Sequence, residues 1–226
     1  MADTIYRFLD SDGALKTLVA GKFRVGLISI FNDPFEWKLG FRGIPTPEEK
    51  ERADHFHSKQ LRALESRMRV LCFSGSFSPP VLWSIYAEKH RGVAFEVKHP
   101  WPVDTLQEMT YFPERPVLDF DRLHEIRDET THAQYHLKLI NGLMRNKSPG
   151  FFFEQEYRLQ IGLESCQHRD GHDEWRLPDK SLKRVILGFS CPLDEKVVRK
   201  LLDMNGFTET EVVKAKMCQE TYSIIV

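Results

Sequence analysis

Two glutamates one residue apart, Glu154 and Glu156, are followed by Arg158 inside the aromatic and aliphatic run SPGFFFEQEYRLQIGL, residues 148–163. Read as one strand, the run alternates with period two. Phe151, Phe153, Tyr157, Leu159, Ile161 and Leu163 then share a face interrupted only by Gln155. Phe152, Glu154, Glu156, Arg158 and Gln160 fall on the other. Such a polar row is either a solvated face or the wall of a site where a carboxylate stabilises developing positive charge. The same Glu-x-Glu spacing recurs at Glu49 and Glu209, so spacing alone says little. The aromatic setting and the nearby arginine distinguish this copy.

Arg7, in TIYRFLD, shares a strand face with Ile5 and Leu9. An unpaired buried guanidinium is costly, so its head group needs a partner. That partner is either a phosphate or carboxylate of a ligand, which suits a planar bidentate donor, or a glutamate in a structural ion pair. In LWSIYAEKHRG, Trp83, Tyr86 and His90 stand at i, i+3 and i+7 and share one helical face. They could line a pocket for a flat ring. Trp83 and Tyr86 could equally be core residues with satisfied N–H and O–H groups, and His90 a cation favoured at a helix C-terminus. FNDPFE sets Asp33 and Glu36 three apart, and with Glu154 and Glu156 they would offer hard oxygen ligands to Mg²⁺. His132 and His136 are helical neighbours with no third zinc ligand evident, and HRDGHDE (168–174) reads as a solvated hairpin loop. With no P-loop, no G-x-S-x-G elbow and no G-x-G-x-x-G motif, the expectation is a site without a metal cofactor.

The elements that must position these residues belong to one folded domain. At 226 residues, 41% hydrophobic and 12% aromatic, the chain has enough apolar material for a proper core. Lys and Arg number 32 against 33 for Asp and Glu, so no global basic field announces a nucleic-acid binder. There is no apolar run of about 18 residues and no leader-like N-terminus. The four cysteines are scattered without C-x-x-C spacing. A reduced, cytoplasmic protein with no membrane partner is expected. Strands are expected at TIYRFLD, KFRVGLISIF, MRVLCFSG, VAFEV, QEMTYF, the Glu-x-Glu run, RVILGF, TEVVKAK and YSIIV. Helices are expected at SDGALKTLVAG with Ser11 as cap, from Thr46 to about Arg67, from Ser78 to Gly92, from about Asp121 to Asn146, and at LDEKVVRKLLDMNG. Several strands follow one another without a βαβ rhythm. This predicts an α+β fold: a single domain over 1–226 with a mixed, largely antiparallel sheet and helical additions at about 45–68 and 120–147.

With these residues assembled, the chain resembles a bacterial family known as domain of unknown function 2971. YRF, FNDPFE, LCFS, LWSIYAEKHRG followed by VAFEV, and FEQEYRL occur in that family's order, between about residues 4 and 190. More remotely, an arginine on the first strand, a serine-bearing second strand and a late E-x-E strand are similar to ADP-ribosyltransferases of the R-S-E type. That resemblance implies an ADP-ribosyltransferase-like fold. It also implies Arg7 at the phosphates of NAD, Ser29 or Ser74 near the nicotinamide ribose, and Glu156 on the ribose hydroxyl as the glycosidic bond breaks. Glu154 would activate the acceptor, and Trp83, Tyr86, His90 and Arg158 would complete the NAD-binding wall. The implied function is NAD consumption, with NAD as substrate: ADP-ribose passes to a macromolecular acceptor, or NAD is hydrolysed, in a toxin or phage-defence setting. The alternatives are a metal-dependent nucleic-acid processing or binding component and a non-catalytic binding module. A cleft of carboxylates alone would favour a metal, and one that adds an arginine and aromatics would favour a dinucleotide. No cleft would leave the binding module.

Overall fold

A computed structural model of the chain describes residues 4–43, 45–98 and 106–226. The strands of its main sheet are β1 (Thr4–Leu9), β2 (Met68–Ser74), β3 (Val93–Lys98), β4 (Leu106–Glu108), β5 (Glu156–Gly162), β6 (Leu182–Leu187) and β7 (Glu211–Lys214). They lie in the order β7-β6-β3-β1-β2-β5-β4. Each pairing is antiparallel except β6 with β7. The helices are α1 (Ser11–Ala20), α2 (Pro47–Glu65), α3 (Pro80–Tyr86), α4 (Phe120–Glu125), α5 (Glu129–Arg145) and α6 (Glu195–Met204). The fold is therefore α+β, with a mixed, mostly antiparallel sheet and peripheral helices. Among the described residues no helix is long and apolar enough to cross a membrane.

One sheet face is closed by α1 and α6, whose Ala14, Leu18, Val198 and Leu202 pack on Ile5, Leu71, Phe95, Leu159 and Val185. The opposite face is covered in two pieces. Trp83 and Ala87 sit on Ala94 and Ile186, while Trp37, Ile28 and Leu143 sit on Val70 with Cys72 alongside. The sheet itself also parts here. β1 and β2 pair at Tyr6–Ser74, but farther along β2 turns to Gly26, with Gly26 N to Val70 O at 2.9 Å and Val70 N to Gly26 O at 3.0 Å. The gap between the two coverings, above that divergence, is where the polar residues collect.

Several elements differ from expectation, each for a local reason. Asp10, not Ser11, caps α1, accepting from Gly13 N at 2.6 Å, and Gly21 ends the helix at φ 64°. The capping box at Thr46 and Glu49 forms as its spacing requires. KFRVGLISIF gives a strand only over Phe23–Val25, then a 3₁₀ turn at Ile28–Ile30. The helix expected through Gly92 stops at Tyr86; Glu88, Lys89 and His90 then take φ of 48°, 54° and 67°, a left-handed turn made without glycine. The expected 121–146 helix breaks between α4 and α5, where Asp128 caps α5 by accepting from Thr131 N at 2.8 Å. The Glu-x-Glu run is not one strand: Pro149–Glu154 is a 3₁₀ helix capped by Ser148, and β5 begins at Glu156.

Candidate functional site

The reversal inside FFFEQEYR builds the site. Gln155 sits at φ 44°, ψ 52°, a left-handed residue joining the 3₁₀ helix to β5. Glu154 and Glu156 thus belong to different elements, yet both turn towards Lys147. Lys147 is placed by the short strand Asn146–Lys147, which pairs in parallel with Thr110–Tyr111. Its ammonium donates to Glu154 and to Glu156 Oε2 (2.7 Å) and lies 3.3 Å from Glu36 Oε1, with the side chain only 2% exposed. Arg158 closes the cluster. Its Nε donates to Glu156 Oε1 at 2.7 Å, and one terminal nitrogen reaches Glu36 Oε1 at 2.6 Å and Glu156 Oε2 at 3.1 Å. Aromatic rings back both cations, Phe151 at 4.8 Å from the Lys147 nitrogen and Phe31 at 4.5 Å from the Arg158 guanidinium carbon.

Three buried carboxylates therefore face two buried cations. Burial by itself would raise Glu156, but Arg158 and Lys147 overturn it and hold the carboxyl at about 2. Glu36 goes the other way: burial raises its pKa, and the attraction of Arg158 and Lys147 only partly offsets that. Lys147 and Arg158 stay charged, because their carboxylates outweigh a desolvation that alone would lower both. The Tyr86 hydroxyl donates to Glu154 and accepts from Asn32 Nδ2 at 2.6 Å; burial and the Glu154 bond push its pKa up. The Tyr111 hydroxyl accepts from the Glu156 backbone N–H at 2.8 Å, and burial lifts that phenol to about 12. Burial and Glu156 also raise the Cys72 thiol, which removes it as a nucleophile near neutral pH.

The cluster opens onto a cleft of about 240 Å³, whose other walls include Tyr6, Phe8, Phe31, Ser74 and Tyr86. Glu36 and Lys147 also border a second cavity of about 360 Å³, which Phe35, Phe112 and Arg115 line as well. The ion pair between them is a partition that both spaces touch.

Of the residues singled out in the sequence, Glu154, Glu156, Arg158, Tyr86 and Ser74 come together here. Ser74 lies at the parting of the sheet, opposite Tyr6 on one side and Glu156 on the other; its hydroxyl is 2.9 Å from the Ser76 carbonyl. Arg7 borders the cleft but meets no glutamate. On β1 it shares a face with Ile5 and Leu9, and its guanidinium donates to Cys72 O (2.9 Å) and Arg24 O (3.3 Å), 6.0 Å from the Phe23 ring centroid. It fills the wedge where β1 and β2 diverge, and burial lowers its pKa. Ser29 is exposed on the Ile28–Ile30 turn, its backbone N–H donating 2.7 Å to Glu65, away from the cleft. Trp83 is a core residue whose indole N–H donates 2.6 Å to the Phe77 carbonyl. His90 stacks between Phe189 at 4.5 Å and Trp83 at 6.4 Å and does not line the cleft.

Asp33 does not join Glu36 as a ligand pair. Its Oδ1 accepts from Phe35 N at 2.8 Å, which forms the turn, while Oδ2 is buried without a partner. Among the described residues no three His, Cys, Asp or Glu side chains are disposed to hold a metal ion, and the Lys147 ammonium occupies the point where the carboxylates of Glu36, Glu154 and Glu156 converge. Lys147 and Tyr111 are the members that sequence reasoning missed. Lys147 and Glu154 stand at i and i+7, but Ser148-Pro149-Gly150 between them breaks the helix that would make that spacing informative. The chain matches no protein-family model, no curated protein and no solved structure.

Proposed function

We propose that this chain consumes NAD, cleaving the bond between nicotinamide and ribose and passing ADP-ribose to a macromolecular acceptor or to water. The observation that carries the reading is a cleft in which carboxylates, arginines and aromatic rings converge: Glu36, Glu154 and Glu156 bound to Lys147 and Arg158, with Arg7, Tyr6, Phe8 and Tyr86 in the same lining. Nicotinamide in NAD is a cationic ring, and aromatic faces suit it. As the C1′–N bond breaks, the electron pair leaves with nicotinamide and the ribose carbon becomes positive. The acceptor oxygen or nitrogen then bonds to C1′ and releases its proton. Glu156, ionised and locked by two cations, is preorganised for that charge, which is how a fixed carboxylate lowers such a barrier. Glu154, tied to the Tyr86 hydroxyl, is the group for positioning the acceptor and its proton. Arg7, bonded to carbonyls rather than carboxylates, retains a charge beside the cleft for a phosphate. The remote likeness to R-S-E transferases, an arginine on the first strand and a late E-x-E, supports the same reading.

The metal-dependent alternative is disfavoured because an ammonium already sits among the carboxylates. The deciding experiment is nicotinamide release from NAD by the purified chain, alone and with nucleic acid or cell lysate. Glu156→Gln is expected to lower release by about 100-fold or more. Tyr86→Phe, which keeps the ring and frees Glu154, is expected to lower it about tenfold. Circular dichroism establishes that each variant is folded. Absence of release in every mixture by the folded wild-type chain overturns the reading.

A further inference from the structure

A mainly apolar cavity lies apart from the one that holds the charges. It measures about 460 Å³ and lies between α2 and the α4–α5 pair, walled by Trp37, Phe56, Leu118, Phe120, Leu139 and Leu143. That volume falls in the range of small-molecule sites, whereas a core of this size would ordinarily be filled by side chains. One polar atom within its lining is unexplained. His57, on α2, has the backbone of Trp37 as a neighbour that favours its protonated form, while its Nε2 is buried without a partner. An accepting carbonyl is served by a proton on Nδ1, the tautomer in which Nε2 carries a lone pair. Burial keeps the ring neutral by lowering its pKa. A buried acceptor left unpaired destabilises the protein unless something supplies a donor.

We infer that this cavity binds a neutral aromatic small molecule bearing one O–H or N–H, which donates to His57 Nε2. Three aromatic side chains in the wall, with His136 packed 4.9 Å from Phe56, favour a flat ring. The charged side chains of the lining reach solvent: Glu49 and His124 pair with each other at 2.6 Å, and Arg52 is exposed with its Nε donating to the Glu48 carbonyl at 3.3 Å, which leaves the buried part of the wall without a counter-charge for a charged ligand. The inference does not depend on NAD chemistry at the charged cluster.

The test uses 2-naphthol and its methyl ether, 2-methoxynaphthalene, titrated into the full chain by calorimetry, with tryptophan fluorescence reporting on Trp37. One saturable site for naphthol is expected, with the ether at least about tenfold weaker because it cannot donate. Ala53→Leu, which adds bulk to the α2 wall of the cavity, is expected to weaken naphthol by at least a similar factor. His57→Phe is expected to abolish the difference between the two probes. No saturable binding, equal binding of both probes, or binding indifferent to Ala53→Leu would each overturn the proposal.

Discussion

With its ammonium among Glu36, Glu154 and Glu156, Lys147 meets three buried carboxylates that would otherwise repel one another. Removing it leaves those three facing Arg158 alone, and breaking a buried pair from one side typically costs about 3–5 kcal/mol. Lys147→Met is therefore expected to lose about that much in urea unfolding. Adding Glu154→Gln should restore part of it, since charges in one network couple. The acid limb of stability tests Glu156 separately. Its folded pKa of about 2 lies below the ordinary 4.5, so its contribution is complete above pH 4.5 and is lost as pH falls towards 2. Glu36 has the opposite sign. Its raised pKa means ionisation opposes folding above 4.5, and protonation relieves that. Stability against pH should therefore fall less between 4.5 and 2 in Glu156→Gln than in the wild type, and rise less on acidification towards 4.5 in Glu36→Gln. Glu154, Glu156, Arg158 and Tyr86 were legible as a polar group because their types stand out among aromatics. Lys147 was not, because its partnership arises from a turn rather than from spacing.

At the scale of elements, what was legible was punctuation by proline and capping side chains, and what was not was left-handed backbone without glycine. Thr46, Pro47 and Glu49 start α2 as their chemistry dictates. Nothing in EKH or FEQEY marks Glu88, Lys89, His90 or Gln155 for positive φ, and a period-two pattern survives whether 149–154 is extended or 3₁₀. Tertiary bonds impose those conformations. Ser11 N and Oγ both donate to the Glu88 carboxylate, and Ser190 N donates to the His90 carbonyl at 3.2 Å. The chain after this turn passes so close to β1 that a Cβ on Gly92 would stand 2.1 Å from the Leu9 carbonyl, and one on Gly188 would stand 2.1 Å from the His90 carbonyl. Gly92→Ala and Gly188→Ala are each expected to cost about 3 kcal/mol in thermal unfolding, since backbone cannot yield as a side chain does. Lys89→Gly should instead gain up to about 1 kcal/mol by relieving the left-handed residue, set against the extra freedom glycine gives the unfolded chain.

At the scale of the whole molecule, the two helical additions expected near 45–68 and 120–147 correspond to α2 and to α4 with α5. They are not equivalent to the helices on the other face. α1 and α6 share one continuous core with the sheet, whereas α2 has no buried residue and faces a cavity of about 460 Å³ across from α5. Few buried contacts mean a low free energy of local opening, so α2 should exchange its amide hydrogens without waiting for the sheet to unfold. Leu71, fully buried in β2, supplies the lever that separates the two processes. Leu71→Ala should lower global stability by about 2–5 kcal/mol. Exchange in β1, β2 and β3 should then accelerate by the corresponding factor, while exchange over Pro47–Glu65 stays unchanged. If α2 slows to sheet-like rates and follows the Leu71→Ala shift, it belongs to the same cooperative unit, and its exposed face must be held by more than the contacts seen here. If it stays fast and indifferent, the covering over the charged cleft's neighbour can open on its own, and a ligand has a way into the apolar cavity without disturbing Glu154, Glu156 and Lys147.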